Sequence, residues 1–194
     1  MSLVSVVAHE LFITVVSDGL AVTTYGDGRV VRNEECPKFH MISPKQFVAY
    51  TGVKEISDEV LAGYPNRIEE YNLGILKEEL KERVNSFSYE NGNRIAMVVG
   101  GVCNNEIVAY SFNNDPMVRD ISLNTEDGNM PFVVLQSPLV EEDLTNKLFE
   151  MLSSEVITHP NDVLRIQREF TEYVDGIDES VNGNTYESLI VKTP

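Results

Sequence analysis

Short β-branched and apolar runs, each cut off by a turn signal, fill the first quarter of the chain. They leave it little choice but an antiparallel sheet. Residues 3–7 and 11–16 flank Ala8-His9-Glu10, and residues 20–25 and 29–32 flank Gly26-Asp27-Gly28. Residues 39–42 and 46–51 flank Ser43-Pro44-Lys45. Strands joined by turns this short must run antiparallel. The Asp-Gly pair suits the positive φ of a tight hairpin.

Further along, the period changes. Ser57-Asp58-Glu59 opens a short helical pattern that Gly63-Tyr64-Pro65 interrupts. From Asn72 onward Leu73, Leu76, Leu80, Val84 and Phe87 recur at helical spacing, and the opposite face is rich in Lys and Glu. That pattern predicts a surface helix with one buried stripe. Residues 95–103 and 106–112 read as a hairpin across Asn104-Asn105, residues 117–123 as a weaker strand, and residues 131–136 as another strand.

Two helices are then expected. The first covers 141–153, with Leu144, Leu148, Phe149 and Leu152 on one face. The second starts at Pro160, with Val163, Ile166, Phe170 and Tyr173 in step, and residues 186–191 form a last strand. Runs of strands alternating with pairs of helices predict an α+β fold in which antiparallel sheets lie between helical layers.

The 194 residues are expected to form a single domain, 1–194, with a sizeable core. The net charge of −16 argues against nucleic acid and anionic membrane as partners. No apolar run is long enough to cross a bilayer, and the start lacks the basic and apolar regions of a secretory signal, so cytoplasmic residence is expected. Cys36 and Cys103 have no metal-binding spacing, and no HExxH pattern or GxSxG elbow is present. Neither a metal nor a cofactor is expected.

The junctions between these elements carry the chemistry. Val15-Val16-Ser17-Asp18-Gly19 ends a strand on an aspartate. Lys38-Phe39-His40-Met41-Ile42 begins one on a lysine. Ala49-Tyr50-Thr51-Gly52 ends one on a glycine. With their spacing and the element order, these segments resemble the proteasome-like family of N-terminal-nucleophile hydrolases. That family includes proteasome β-subunits and the peptidase subunit of the bacterial two-component ATP-dependent protease. The resemblance runs over nearly the whole chain but is specific only at these motifs. It implies a four-layer αββα sandwich, homo-oligomers including rings that enclose the site, and a peptide or other amide substrate. It identifies no ATPase partner.

The resemblance also implies roles. Ser2, exposed by removal of Met1, would be the nucleophile, and its free α-amine the base. An α-amine titrates at about 7.7–8.0, suited to proton transfer near neutrality. Lys38 would stabilise the nucleophile's anion and Asp18 would hold Lys38. The Gly52 N–H would stabilise the oxyanion. Ser137 and Asp178 would support the terminus. One departure stands out: Val181 occupies a position where many active β-subunits have a serine. Two other classes compete with the hydrolase, a catalytically inactive homologue with an assembly or ligand-binding role and an unrelated α+β binding module.

Overall fold

The computed structural model describes residues 2–89, 93–125, 128–136 and 142–193. Six strands come first: β1 (Val4–His9), β2 (Phe12–Asp18), β3 (Ala21–Thr24), β4 (Val30–Asn33), β5 (Phe39–Ser43) and β6 (Gln46–Gly52). Helices α1 (Lys54–Leu61) and α2 (Leu73–Asn85) follow, then β7 (Ile95–Cys103), β8 (Glu106–Asn113), β9 (Ile121–Leu123) and β10 (Phe132–Leu135). Helices α3 (Leu144–Ser153) and α4 (Pro160–Asp175) and strand β11 (Thr185–Val191) close the chain.

The strands form two antiparallel sheets, ordered β10-β1-β2-β11 and β5-β6-β7-β8-β9, and a separate β3-β4 ribbon. The central strands are apolar on both faces, which forces a cover on each. In β1, Val4, Val6 and Ala8 point into a core shared with Phe47, Ala49 and Val98 of the second sheet. Leu3 and Val7 point the other way, onto Leu144, Leu148, Ile166 and Phe170 of α3 and α4. In β6, Phe47 and Ala49 face the first sheet, while Val48 and Tyr50 pack with Leu73, Leu76, Leu80 and Val84 of α2. Three cores between four layers follow, and the fold is an αββα sandwich. No helix among the described residues is long and apolar enough to cross a membrane.

Local chemistry sets most boundaries. Asn104 and Asn105 take φ of 52° and 63°, the left-handed pair that a two-residue hairpin requires. The Asn72 side chain caps α2 by accepting the Ile75 N–H at 3.1 Å. His159 and Asp162 form a reciprocal capping box at the start of α4, with Pro160 in the first turn.

Three expectations are corrected. Only residues 121–123 of the strand expected over 117–123 form one, because the Asp115 side chain accepts the Met117 N–H and folds that stretch into a turn. Helix α1 starts at Lys54, ahead of Ser57, whose hydroxyl is turned back onto the Val53 carbonyl. Phe149 lies off the buried stripe of α3 at 56% exposure, while Leu144, Leu148 and Leu152 form the stripe.

The layering makes a testable contrast. Leu80→Ala, at a fully buried site in α2, should lower the unfolding free energy by about 2–5 kcal/mol. Phe149→Ala should cost under about 1 kcal/mol. Urea unfolding measures both, and equal losses would contradict the assigned faces.

Candidate active site

The start of β1 is fixed by a carboxylate from the end of β2. Asp18, fully buried, accepts the Leu3 N–H on Oδ1 and the Leu20 N–H on Oδ2, each at 2.8 Å. Its own N–H donates to the Leu3 carbonyl at 3.1 Å. Burial pushes the Asp18 carboxyl up to about 6. The two backbone donors and the Lys38 charge pull it back only in part.

The side-chain alternation of β1 then directs Ser2. Val4, Val6 and Ala8 face the second sheet, and Ser2 shares their parity. Ser2 is 6% exposed, and that surface lines a cavity of about 570 Å³ that also takes in Lys38, Thr51 and Gly52. A cavity of this size suits a small ligand or a few residues of a peptide.

Lys38 enters the cavity from the start of β5. Its N–H donates to Ser17 Oγ at 3.1 Å, so the residue beside Asp18 ties the lysine backbone to β2. Its ammonium donates to the Cys36 carbonyl at 2.9 Å. Asp18 was expected to hold Lys38. Among the described residues no ion pair within 4.0 Å joins them, and Lys38 acts on Asp18 as a nearby charge. The carboxylate's direct contacts are backbone N–H groups.

Gly52 ends β6 with φ of 113°. A Cβ there would sit 1.9 Å from the Arg94 carbonyl oxygen, so only glycine fits. Ile95, opposite Gly52, directs its N–H and carbonyl to Asn114, which makes Gly52–Ile95 a non-hydrogen-bonded pair. The Tyr50 N–H donates towards β5, to the Lys38 carbonyl at 2.8 Å. By alternation the Gly52 N–H lies on that same edge, beyond the Phe39–Ala49 pair where β5 stops pairing.

Two expected residues stand apart from this group. Ser137 lies outside the described residues. Asp178 sits half-buried in the loop after α4 and does not line the cavity. Its Oδ1 accepts the Ser180 N–H at 2.9 Å, while its buried Oδ2 has no hydrogen-bond partner among the described residues. The loop reaches Asp18 indirectly, through Asn182, whose Oδ1 accepts the Gly19 N–H at 2.9 Å. Val181 is buried against Leu3 and the helices.

Sequence reasoning missed Ser17 as the anchor of Lys38 and Asn182 as the link to Gly19. Ser17 was visible only as part of the segment that ends a strand on Asp18, and nothing local marked Asn182. None of His9, His40 and His159 lines the cavity. Tyr50 does, but burial raises its phenol, so it stays protonated at neutral pH and offers no base.

No protein-family model matches the sequence. No curated protein matches it either. Solved structures do match by shape. The chain is similar to eukaryotic HslV from Trypanosoma brucei at a TM-score of 0.62 and 11% identity, over 97% of this chain and 99% of that one. It is similar to Anbu of the helical Anbu complex from Pseudomonas aeruginosa at 0.68 and 15%, over 97% and 81%. Anbu (ancestral β-subunit) from Yersinia bercovieri gives 0.71 and 11%, over 98% and 82%. At these identities the likeness is one of fold, and it agrees with the sandwich expected from the sequence.

The Asp18 environment sets a pH signature. The folded carboxyl titrates near 6 against 3.8 for the free group. The stability it contributes is therefore complete below the lower value and is lost as pH rises through the higher one. The difference in unfolding free energy between the protein and Asp18→Asn should fall by roughly 2 kcal/mol from pH 4 to pH 7. Denaturant titrations of both proteins across that range test this, and a flat difference refutes it.

Proposed function

We propose that the chain is a proteasome-like N-terminal-nucleophile hydrolase that cleaves peptide or other amide bonds through Ser2 once Met1 is removed. The observation that supports this is the meeting of Ser2, Lys38 and Gly52 on one cavity. Ser2 Oγ attacks the substrate carbonyl carbon, and the freed α-amine takes the hydroxyl proton. Lys38 stabilises the developing alkoxide by charge. The Gly52 N–H receives the oxyanion of the tetrahedral intermediate. The α-amine passes its proton to the leaving amine, and water then hydrolyses the serine ester with the same amine as base. Asp18 works through the backbone, holding the Leu3 N–H and with it the peptide unit next to Ser2.

The same reading makes the protein a cytoplasmic homo-oligomer, in rings or another repeating assembly. Val22, Tyr25, Val30 and Val31 expose apolar surface on the β3-β4 ribbon, as a chain that packs against copies of itself would. The Anbu structure solved as a helical assembly offers a parallel.

A second reading is favoured by Val181, which fills the helix-side core at a position where many active β-subunits have a serine. On this reading the chain keeps the fold for assembly or ligand binding and has lost catalysis. Intact mass of protein from its native cytoplasm separates the two. Loss of Met1 is expected, and full retention rejects the hydrolase. With Ser2 free, Ser2→Ala and Lys38→Ala should each lower peptide or amide hydrolysis at least about 100-fold. Unchanged activity in either rejects this assignment of the site.

A further inference from the structure

The cavity's charge runs against that of the chain. Acidic residues outnumber basic ones 31 to 15 along the sequence. Among the described residues the cavity is lined by Lys38, Lys54, Arg94 and Arg119 against Glu55 and Asp115. Lys54 is tied up by Asp58 at 2.5 Å, and Lys38 belongs to the proposed chemistry. Arg94 and Arg119 are exposed, and neither has a carboxylate within 4.0 Å among the described residues.

The carboxylates nearby are engaged elsewhere. Asp115 Oδ1 accepts the Met117 N–H at 2.9 Å. Glu55 lies beside the Lys54 charge. The Arg94 guanidinium is placed over the Tyr89 ring, 5.2 Å from its centre, and its backbone carbonyl abuts Gly52. Arg94 is thus a residue whose backbone packs against the proposed oxyanion donor and whose guanidinium lines the same cavity.

The net charge of −16 would repel an anionic ligand at long range. At physiological salt, charges more than about 8 Å apart are largely screened. Two uncompensated guanidiniums in contact with the ligand outweigh a distant surplus. An arginine also matches a carboxylate with two parallel N–H donors.

We infer that the cavity selects peptides carrying a carboxylate side chain, which Arg94 and Arg119 bind beside Gly52. The placement of that side chain relative to a scissile bond rests on the hydrolase reading, whereas the binding preference does not. Calorimetric titration of Ser2→Ala protein, which cannot turn substrate over, isolates the preference. The probes are acetyl-Val-Leu-Ala-Glu-amide and its Gln counterpart.

The Glu peptide should bind about tenfold tighter at low salt, and the gap should shrink as sodium chloride is added. Combining Arg94→Gln with Arg119→Gln should level the two affinities. Both side chains are exposed, so an unchanged urea midpoint should accompany that loss. Equal affinities in the Ser2→Ala protein, no binding of either peptide, or a preference that survives the double substitution each overturns the inference. Hydrolysis of the same two peptides as coumarin amides by Met1-free protein is read separately. Preferential binding without turnover rejects the hydrolase and leaves the acidic preference standing.

Discussion

The site hangs on a buried carboxylate that serves backbone. Taking a charge out of water costs several kcal/mol unless hydrogen bonds replace the lost hydration. Asp18 gains two, from Leu3 and Leu20. Its carboxyl is nevertheless pushed up to about 6, so the replacement is incomplete and the ionised form strains the fold. A residue chosen for stability alone would be apolar at this fully buried position. The carboxylate instead joins the first residues of β1 to the turn after β2. Stability given up at one position and regained elsewhere is common where a structure serves a site.

Much of the fold was legible in the sequence because local patterns carry it. Runs such as Ile13-Thr14-Val15-Val16 are buried on both faces, so they need cover on both sides, and the second sheet on one side and the α3-α4 pair on the other supply it. The Asn104-Asn105 turn and the stripe of α2 are likewise local, written within a few residues. The misses share a cause. Residues 117–120 have strand-like composition, but one Asp115 side chain captures the Met117 N–H and wins over propensity. Phe149 is as apolar as its neighbours, and only the packing of α3 on the first sheet shows which side is buried.

At the site the same division holds. Asp18, Lys38 and Gly52 stand out as ends of strands, so the sequence marks them. Their contacts do not follow from local pattern. Ser17 reaches Lys38 across 21 residues and Gly19 reaches Asn182 across 163. Asp18 and Lys38 look like an ion pair when only type and spacing are known. In three dimensions the aspartate is already held by two N–H groups and the ammonium by the Cys36 carbonyl. The gathering of arginines at the cavity is equally invisible, because a count of charges over the chain says nothing about where they meet.

Register connects the core to the cavity. A one-residue slip of β1 would exchange its faces. Ser5 resists that slip more than its apolar neighbours do. It is a buried polar residue of the strand, and Gln167 of α4 donates to both its carbonyl and its hydroxyl at 3.0 Å. After a slip, Ser5 would lie between the two sheets without a partner, and the buried Gln167 would lose its hydroxyl partner. Each unsatisfied group costs about 1–3 kcal/mol, whereas exchanging one valine for another costs little. The Ser5–Gln167 contact therefore fixes which residues of β1 face the second sheet. Through that parity it decides that Ser2, rather than Leu3, borders the cavity with Lys38 and Gly52.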